Sequence, residues 1–429
     1  GGTDTLMILR SERAAAPLRG ELTPPGDKSI SHRALIMGCL AAGESRIRGL
    51  LDSEDIRATA NACRQLGMTT RQEDGELVLQ GVGRTGLRAP RAPLDMGNSG
   101  TAMRLLAGVL AAQEFDSELT GDISLSRRPM RRIVRPLELM GARIETAEGG
   151  TPPLRIKGNP HLRGIEYDSP VASAQVKSCL LLAGLYASGH TKVREPLKSR
   201  DHTERMLPAF GVSLHGGCGV RGGSRLTGGE IRVPADISSA AFFMVGASIA
   251  QGSEITLEHV GINPTRTGVI DILRLMGANI ELLNPSEAGG EPVADIRVRG
   301  ARLKGVHIPE ELVPLAIDEF PVIFVAAACA DGETVVTGAG ELRVKESDRI
   351  GAMAAGLRNL GIQVEAPTDG FSQVSDEAGN GLVVDEQGNR LGTAVEWTDR
   401  TTYRPAAPSA GLGFGLTTYM GDGSPLPSY

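Results

Sequence analysis

Leu137-Glu-Leu-Met-Gly141-Ala-Arg-Ile, Leu273-Arg-Leu-Met-Gly277-Ala-Asn-Ile and Leu357-Arg-Asn-Leu-Gly361-Ile-Gln-Val make the same statement in three places: a helix ends, a glycine follows and a strand begins. Glycine supplies the left-handed residue with which a chain leaves a helix. Weaker copies stand at Gln65-Leu-Gly67-Met and Ala209-Phe-Gly211-Val. The five glycines lie 74, 70, 66 and 84 residues apart. The repeating unit is therefore about 70 residues, longer than the 20 to 50 of solenoid repeats. Between these copies runs a second motif, an almost wholly apolar helix, at Ala34 to Gly43, Met103 to Gln113, Val176 to Gly189, Ala240 to Gly252 and Val322 to Gly332. Helices apolar on all sides are buried, whereas the glycine-terminated ones carry charges and are amphipathic. Each unit thus reads as one buried helix, one amphipathic helix and intervening strands, an α/β arrangement. Five units are visible and a sixth is missing.

Composition narrows the class. The 429 residues are 41% hydrophobic and 22% charged, enough for two domains with sizeable cores. A net charge of -6 without a basic face or an aromatic-rich signature argues against a nucleic-acid partner. Aromatic residues are only 3% of the chain while glycines number 56, so packing must rely on aliphatic side chains and close backbone approach. Cys39, Cys63, Cys179, Cys218 and Cys329 are scattered and mostly inside apolar runs, as reduced core thiols are. No apolar stretch approaches the roughly 20 residues of a membrane span, and the start lacks a basic-then-apolar signal, so a cytoplasmic protein is expected. Gly1 in place of methionine suggests a tag remnant or a processed end.

One octet carries chemistry. Gly26-Asp-Lys-Ser-Ile-Ser-His-Arg33 packs Lys28, Arg33, Ser29 and Ser31 just ahead of an apolar run. Arg33 offers a planar fork for bidentate phosphate contacts and Lys28 a mobile point charge. The N-terminus of the following helix adds exposed amides and a positive dipole end. Further candidate anion-binding cations are Arg104, Arg128, Arg200, Lys345 and Arg349. Arg131 and Arg132 read instead as solvated surface charges, Ser173 and Gln175 also suit a helix cap, and Asp318 could cap the apolar run that follows it.

These repeats, joined to Gly26–Arg33, Gly97-Asn-Ser-Gly-Thr-Ala-Met-Arg104, Arg128-Pro-Met130, Ser173-Ala-Gln-Val-Lys177, Ser199-Arg-Asp-His-Thr-Glu204, Asn263-Pro-Thr-Arg266 and Leu342-Arg-Val-Lys-Glu-Ser-Asp-Arg349, resemble the 5-enolpyruvylshikimate-3-phosphate (EPSP) synthase family over residues 15 to about 370. The resemblance implies two inverse α/β domains built from βαβαββ-type units. Here they would comprise 25–236 and, discontinuously, 1–24 with 237–429, closing over the substrates. It implies transfer of the enolpyruvyl group from phosphoenolpyruvate to the 5-hydroxyl of shikimate 3-phosphate, in the shikimate route to aromatic amino acids. Neither a cofactor nor a metal is expected, and a monomer is.

By the same resemblance, Asp318 is the hydroxyl-side base, Glu346 works on the methylene carbon and Lys28 is an acid. Shikimate 3-phosphate falls to Lys28, Ser29, Arg33, Ser173, Gln175, Arg200, Asp318 and Lys345. Phosphoenolpyruvate falls to Lys28, Gly100, Arg104, Arg128, Gln175 and Arg349. His202 and Glu204 look supportive, and Asn263 to Arg266 look structural, at a turn. Gly100 leaves room for longer analogues such as glyphosate, a candidate inhibitor, although Ser173-Ala-Gln175 and Arg200-Asp-His-Thr resemble the subgroup described as tolerant.

The pattern fails at its end. The sixth unit of the family carries an Asp-His-Arg helix and a late lysine, and here Asp399-Arg400 is the nearest echo. The stretch after about residue 370, rich in Gly, Pro, Ser and Thr, reads as a foreign or frameshifted tail. Its loss would uncover apolar faces of Ala240 to Gly252 and Val322 to Gly332, reduce stability and weaken phosphoenolpyruvate binding. A non-catalytic phosphate-binding remnant is therefore the alternative function. UDP-N-acetylglucosamine enolpyruvyl transferase ranks lower, since Lys28 precedes serine rather than asparagine and Cys39, Cys63 and Cys179 lie in apolar runs.

Overall fold

The structure, a computed structural model, describes residues 8–12, 16–345 and 347–374 and short strands within 383–419, with side chains for 16–370 apart from 346. Ten α-helices occur among the described residues: α1 (Lys28–Leu40), α2 (Glu54–Gln65), α3 (Gly100–Ala111), α4 (Arg131–Leu139), α5 (Ala174–Gly184), α6 (His202–Ala209), α7 (Ile237–Ile249), α8 (Gly268–Leu275), α9 (Phe320–Ala328) and α10 (Arg349–Asn359). They alternate as expected. The odd-numbered helices are the apolar ones, and α1, α3 and α5 are buried almost from end to end. The even-numbered helices bury one face only. Each even-numbered helix is followed by its glycine with positive φ, from 82° at Gly211 to 114° at Gly67, the geometry that requires a residue without Cβ.

The apolar helices start earlier than their hydrophobic runs suggest, and in α1, α3, α5 and α7 the reason is polar residues in the first turn. Asp27, Ser99, Ser173 and Asp236 cap α1, α3, α5 and α7 by accepting backbone N–H groups. Ser173 is therefore a cap, as one reading of the sequence had it. Asp318 is not, since Glu319 holds the cap position of α9 and its side chain makes no cap bond.

Five sheets of three to five strands accompany the five helix pairs. The second unit shows the pattern in full. Leu94–Asp95 runs parallel to Ser117–Thr120, and the hairpin Arg143–Ala147 with Thr151–Lys157 completes the sheet antiparallel, giving βαβαββ. Two units borrow their first strand from a distant stretch. Glu230–Arg232 lies parallel to Ala41–Arg48, which closes the first three units on themselves. Arg19–Leu22 lies parallel to Glu254–Gly261 in the fourth unit.

Buried apolar residues form two clusters. One runs from Ile30 to Val233 and the other from Ala235 to Val364, with Leu18 and Leu22 packed against the latter. The chain passes between them twice, at Gly26 and at Ala235. Those passages pair as an antiparallel bridge, with Asp27 N–H donating to the Pro234 carbonyl and Asp236 N–H to that of Pro25, both at 2.8 Å.

On α7, Phe242 is 65% and Phe243 40% exposed, whereas Val322, Ile323 and Phe324 of α9 are buried. Of the two faces expected to be uncovered, α7 alone presents large apolar side chains. The tail side chains, Asp399-Arg400 among them, lie outside the described residues.

Candidate active site

Helix N-termini build the site. Lys28, Gly100 and Arg349 are the first residues of α1, α3 and α10, Gln175 is the second residue of α5, and Asp318 immediately precedes the cap of α9. Helix N-termini present unpaired amides and positive dipole ends, so their gathering favours anions before any side chain is counted.

At the start of α3, Arg104 and Arg128 converge on Gly100. A Cβ added there would lie 2.9 Å from Arg104 Nη1 and 3.4 Å from Arg128 Nη1. Arg104 donates to the Gln175 amide oxygen, while Gln175 Nε2 donates to Thr101 Oγ1 at 3.0 Å, so Gln175 orients the arginine rather than capping α5. Arg128 donates to Asn98 Oδ1 at 2.7 Å. Burial, with repulsion from Arg128 and Arg132, lowers the Arg104 pKa to about 10, which leaves it a cation at neutral pH. Two adjacent arginines tolerate each other at a buried helix end when an anion is to lie between them. Arg131 and Arg132 are exposed, as expected.

Asp318 is the centre of a second cluster of cations. Arg200, from the first core, donates to its Oδ2, Arg349 Nη1 approaches Oδ1 at 3.1 Å, and Lys345 Nζ lies 4.0 Å from the same oxygen. Burial works to raise the Asp318 pKa, yet Arg200, Lys345 and Arg266 outweigh it and hold the carboxyl well below the usual range. A cavity of about 360 Å³ opens beside it, lined by Ser238, Phe242, Glu319, Ser347, Arg349 and Met353 among others. Glu346 lies outside the described residues.

Two residues of the octet differ from expectation. Lys28 Nζ is 2.6 Å from Asp55 Oδ2, so its charge already has a partner, although half its side chain remains exposed. Arg33 is not an open fork. It is 3% exposed and donates to Thr203 Oγ1 at 2.8 Å, to the Ser29 carbonyl at 2.9 Å and to Ser178 Oγ at 2.9 Å. The reason is helical geometry: five residues on from Lys28, Arg33 is turned about 140° round α1, towards α5 and α6. It braces the Ser29 end of the helix from within.

Sequence reasoning passed over two supports, His32 and Lys177, and read Arg266 only as part of a structural turn. His32 is buried, with Nδ1 2.8 Å from Thr59 Oγ1 and Nε2 3.2 Å from the Ser99 cap; burial lowers its pKa to about 3, so the ring is neutral. Lys177, 3% exposed, pairs with Glu195 at 3.0 Å and Glu204 at 2.8 Å, and Glu195 in turn accepts from the Ser173 and Ser199 backbone. Arg266 is the centre of a third network, described below. A buried helix in the sequence that nonetheless contains a lysine or a histidine is the signal for the first two.

The cysteines do not compete for a chemical role. Cys39, Cys63 and Cys179 are buried, and burial pushes Cys179, Cys218 and Cys329 up to about 12, far from thiolate chemistry.

Repeated βαβαββ-type units in two cores, with helix N-termini and with cations gathered about the Asp318 carboxylate, define a protein of the enolpyruvyl transferase fold class. A family model described as EPSP synthase (3-phosphoshikimate 1-carboxyvinyltransferase) matches residues 13–394, and the chain belongs to that family. It is 62% identical over 388 residues to the 3-phosphoshikimate 1-carboxyvinyltransferase of Alkalilimnicola ehrlichii, covering 89% of this chain and 87% of the relative. It is 53% identical over 426 residues to that of Xanthomonas euvesicatoria pv. vesicatoria, covering 95% and 97%. A solved structure of EPSP synthase from Acinetobacter baumannii superposes with a TM-score of 0.78 at 55% identity, covering 86% of this chain and 84% of that one. These relatives favour the transferase reading over the binding remnant and over the UDP-sugar enzyme.

Proposed function

We propose that this chain transfers the enolpyruvyl group of phosphoenolpyruvate to the 5-hydroxyl of shikimate 3-phosphate, releasing phosphate. The observation that carries the proposal is Asp318, a carboxylate facing Arg200, Arg349 and Lys345. Phosphoenolpyruvate is assigned to Gly100, Arg104, Arg128, Gln175, Lys28 and Arg349. Shikimate 3-phosphate is assigned to Lys28, Ser29, Ser173, Gln175, Arg200, Lys345 and Asp318, while Arg33 supports the Ser29 end of α1 from within. The two apolar clusters support a domain division that falls near residues 24 and 237.

Asp318 is too weak a base while three cations face it. Substrate phosphates and carboxylates would neutralise those cations, let its pKa rise and leave it able to take the 5-hydroxyl proton as the oxygen attacks C2 of phosphoenolpyruvate. C3 gains a proton in that step, from Lys28 or Glu346. It loses one as the phosphate leaves the tetrahedral adduct, which restores the double bond. Closing the cleft excludes water from this intermediate. The absence of a side chain at Gly100, beside Arg104 and Arg128, supports glyphosate as a competitor for the phosphoenolpyruvate site, and we read the protein as a cytoplasmic monomer.

The test is phosphate release from the two substrates, with Asp318→Ala as control. Turnover that vanishes in the variant supports the proposal. Shikimate 3-phosphate binding without turnover would instead favour the remnant.

A further inference from the structure

The turn Asn263-Pro264-Thr265-Arg266 reads in the sequence as structural, and the structure gives it more to do. Arg266 is 3% exposed and lies against both passages of the chain between the cores. Its Nη1 donates to Asp27 Oδ2 at 3.1 Å and approaches His202 Nε2 at 3.4 Å. Its Nη2 donates to Asp236 Oδ1 at 3.2 Å and Ser238 Oγ at 2.8 Å, and Glu319 Oε1 is 3.9 Å away. Asp27 precedes Lys28 and caps α1, Asp236 caps α7 and accepts the Lys28 N–H at 3.1 Å, and Glu319 follows Asp318. One guanidinium therefore reaches the residue beside each of two candidate catalytic groups that belong to different cores.

We propose that Arg266 is a positioning residue for the transfer, fixing Lys28 and the start of α1 relative to Asp318 across the crossover. This rests on the function proposed above. The turn that carries Arg266 is itself held: Asn263 Oδ1 accepts from Thr265 N–H at 2.9 Å, and Asn263 Nδ2 donates to Asp201 Oδ1 at 2.7 Å and Glu291 Oε2 at 3.0 Å. Glu291 accepts from His202 Nδ1 at 2.6 Å, leaving Nε2 to face the arginine. Burial raises all three carboxyls around Arg266. At Asp27 burial is outweighed by Arg266, His202, the Ile30 N–H and Arg200 acting together, and the pKa falls below its usual value, whereas at Asp236 and Glu319 burial wins. A lysine, a point charge on a flexible stem, cannot bridge the Asp27 and Asp236 carboxylates as the planar fork does.

Arg266→Met alone would strand buried carboxylates and could unfold the protein. The test therefore uses Arg266→Met combined with Asp27→Asn and Asp236→Asn, in which asparagine keeps both caps and the two carboxylates bonded to Arg266 no longer carry charge. Thermal melting, calorimetric titration with shikimate 3-phosphate and phosphate-release kinetics are compared with wild type. Positioning predicts melting close to wild type, shikimate 3-phosphate affinity down about tenfold and kcat down about 100-fold, the scale of an ångström's misplacement. Wild-type affinity and kcat in the folded triple variant would overturn the proposal and leave the function intact. A wild-type chain that neither binds nor turns over would overturn both. Arg266→Lys keeps the charge but spans one carboxylate only, and reports the same quantities if the triple variant does not fold.

Discussion

Gly100 is the tightest point of the site, because two guanidinium groups already occupy the space a side chain would need. Gly100→Ala should push Arg104 and Arg128 outward and raise the KM for phosphoenolpyruvate about tenfold or more, roughly 1.4 kcal/mol, with a smaller change for shikimate 3-phosphate. Steady-state kinetics with each substrate varied in turn measures this. Asp318→Asn keeps the shape while removing the base, and kcat should fall on the order of 100- to 10,000-fold. Asp201 answers to pH. Burial opposes its ionisation, but Arg205, Asn263 and Lys198 prevail and lower its pKa from 3.8 to about 2. A carboxyl depressed by folding contributes stability above its unfolded pKa and loses it as pH falls through the folded value. Urea midpoints between pH 5 and pH 2.5 should therefore fall less steeply for Asp201→Asn than for wild type. At this scale the sequence pointed to residue types and not to their directions. Lys28 and Arg33 are five positions apart in one octet, yet one stays half exposed beside Asp55 and the other is enclosed by Thr203 and Ser178.

At the scale of the element, helix starts couple stability to chemistry. Ser99 caps α3 by accepting from Ala102 N–H at 3.1 Å and lies 3.2 Å from His32 Nε2. Ser99→Ala removes the cap and leaves the imidazole nitrogen unpaired, so it should cost about 1 to 3 kcal/mol of stability, read by denaturant unfolding. It should also raise the KM for phosphoenolpyruvate, because the turn that carries Gly100 loses its anchor. Helix order was legible from periodicity and from the glycines. Helix starts were less so, because polar residues such as Lys28, Ser29 and Gln175 interrupt the apolar signal where anion chemistry occupies the first turn.

For the whole molecule, the cleft concentrates positive charge on a chain of net charge -6. Association with multiply charged substrates should weaken with salt, and kcat/KM for both should drop several-fold between about 0.05 and 0.5 M ionic strength as the Debye length shrinks. Stopped-flow or initial-rate measurements at fixed pH test this. Phe242 and Phe243 on α7 give the molecule an exposed apolar site beside the cavity.

The sequence alone determined the repeat, the alternation of buried and amphipathic helices and the kinds of charge in the site, because each is written in local spacing: 3.6-residue periodicity, a glycine after a helix, cations at helix starts. It also carried the family motifs. Only the tertiary structure decided which charges meet. Asp318 faces Arg200, 118 positions away in the chain, and Arg266 faces Asp27, 239 positions away. Such pairs arise where the chain passes twice between its two cores. No local pattern encodes them, since a buried arginine and a solvated one are spelled the same until packing takes away the water.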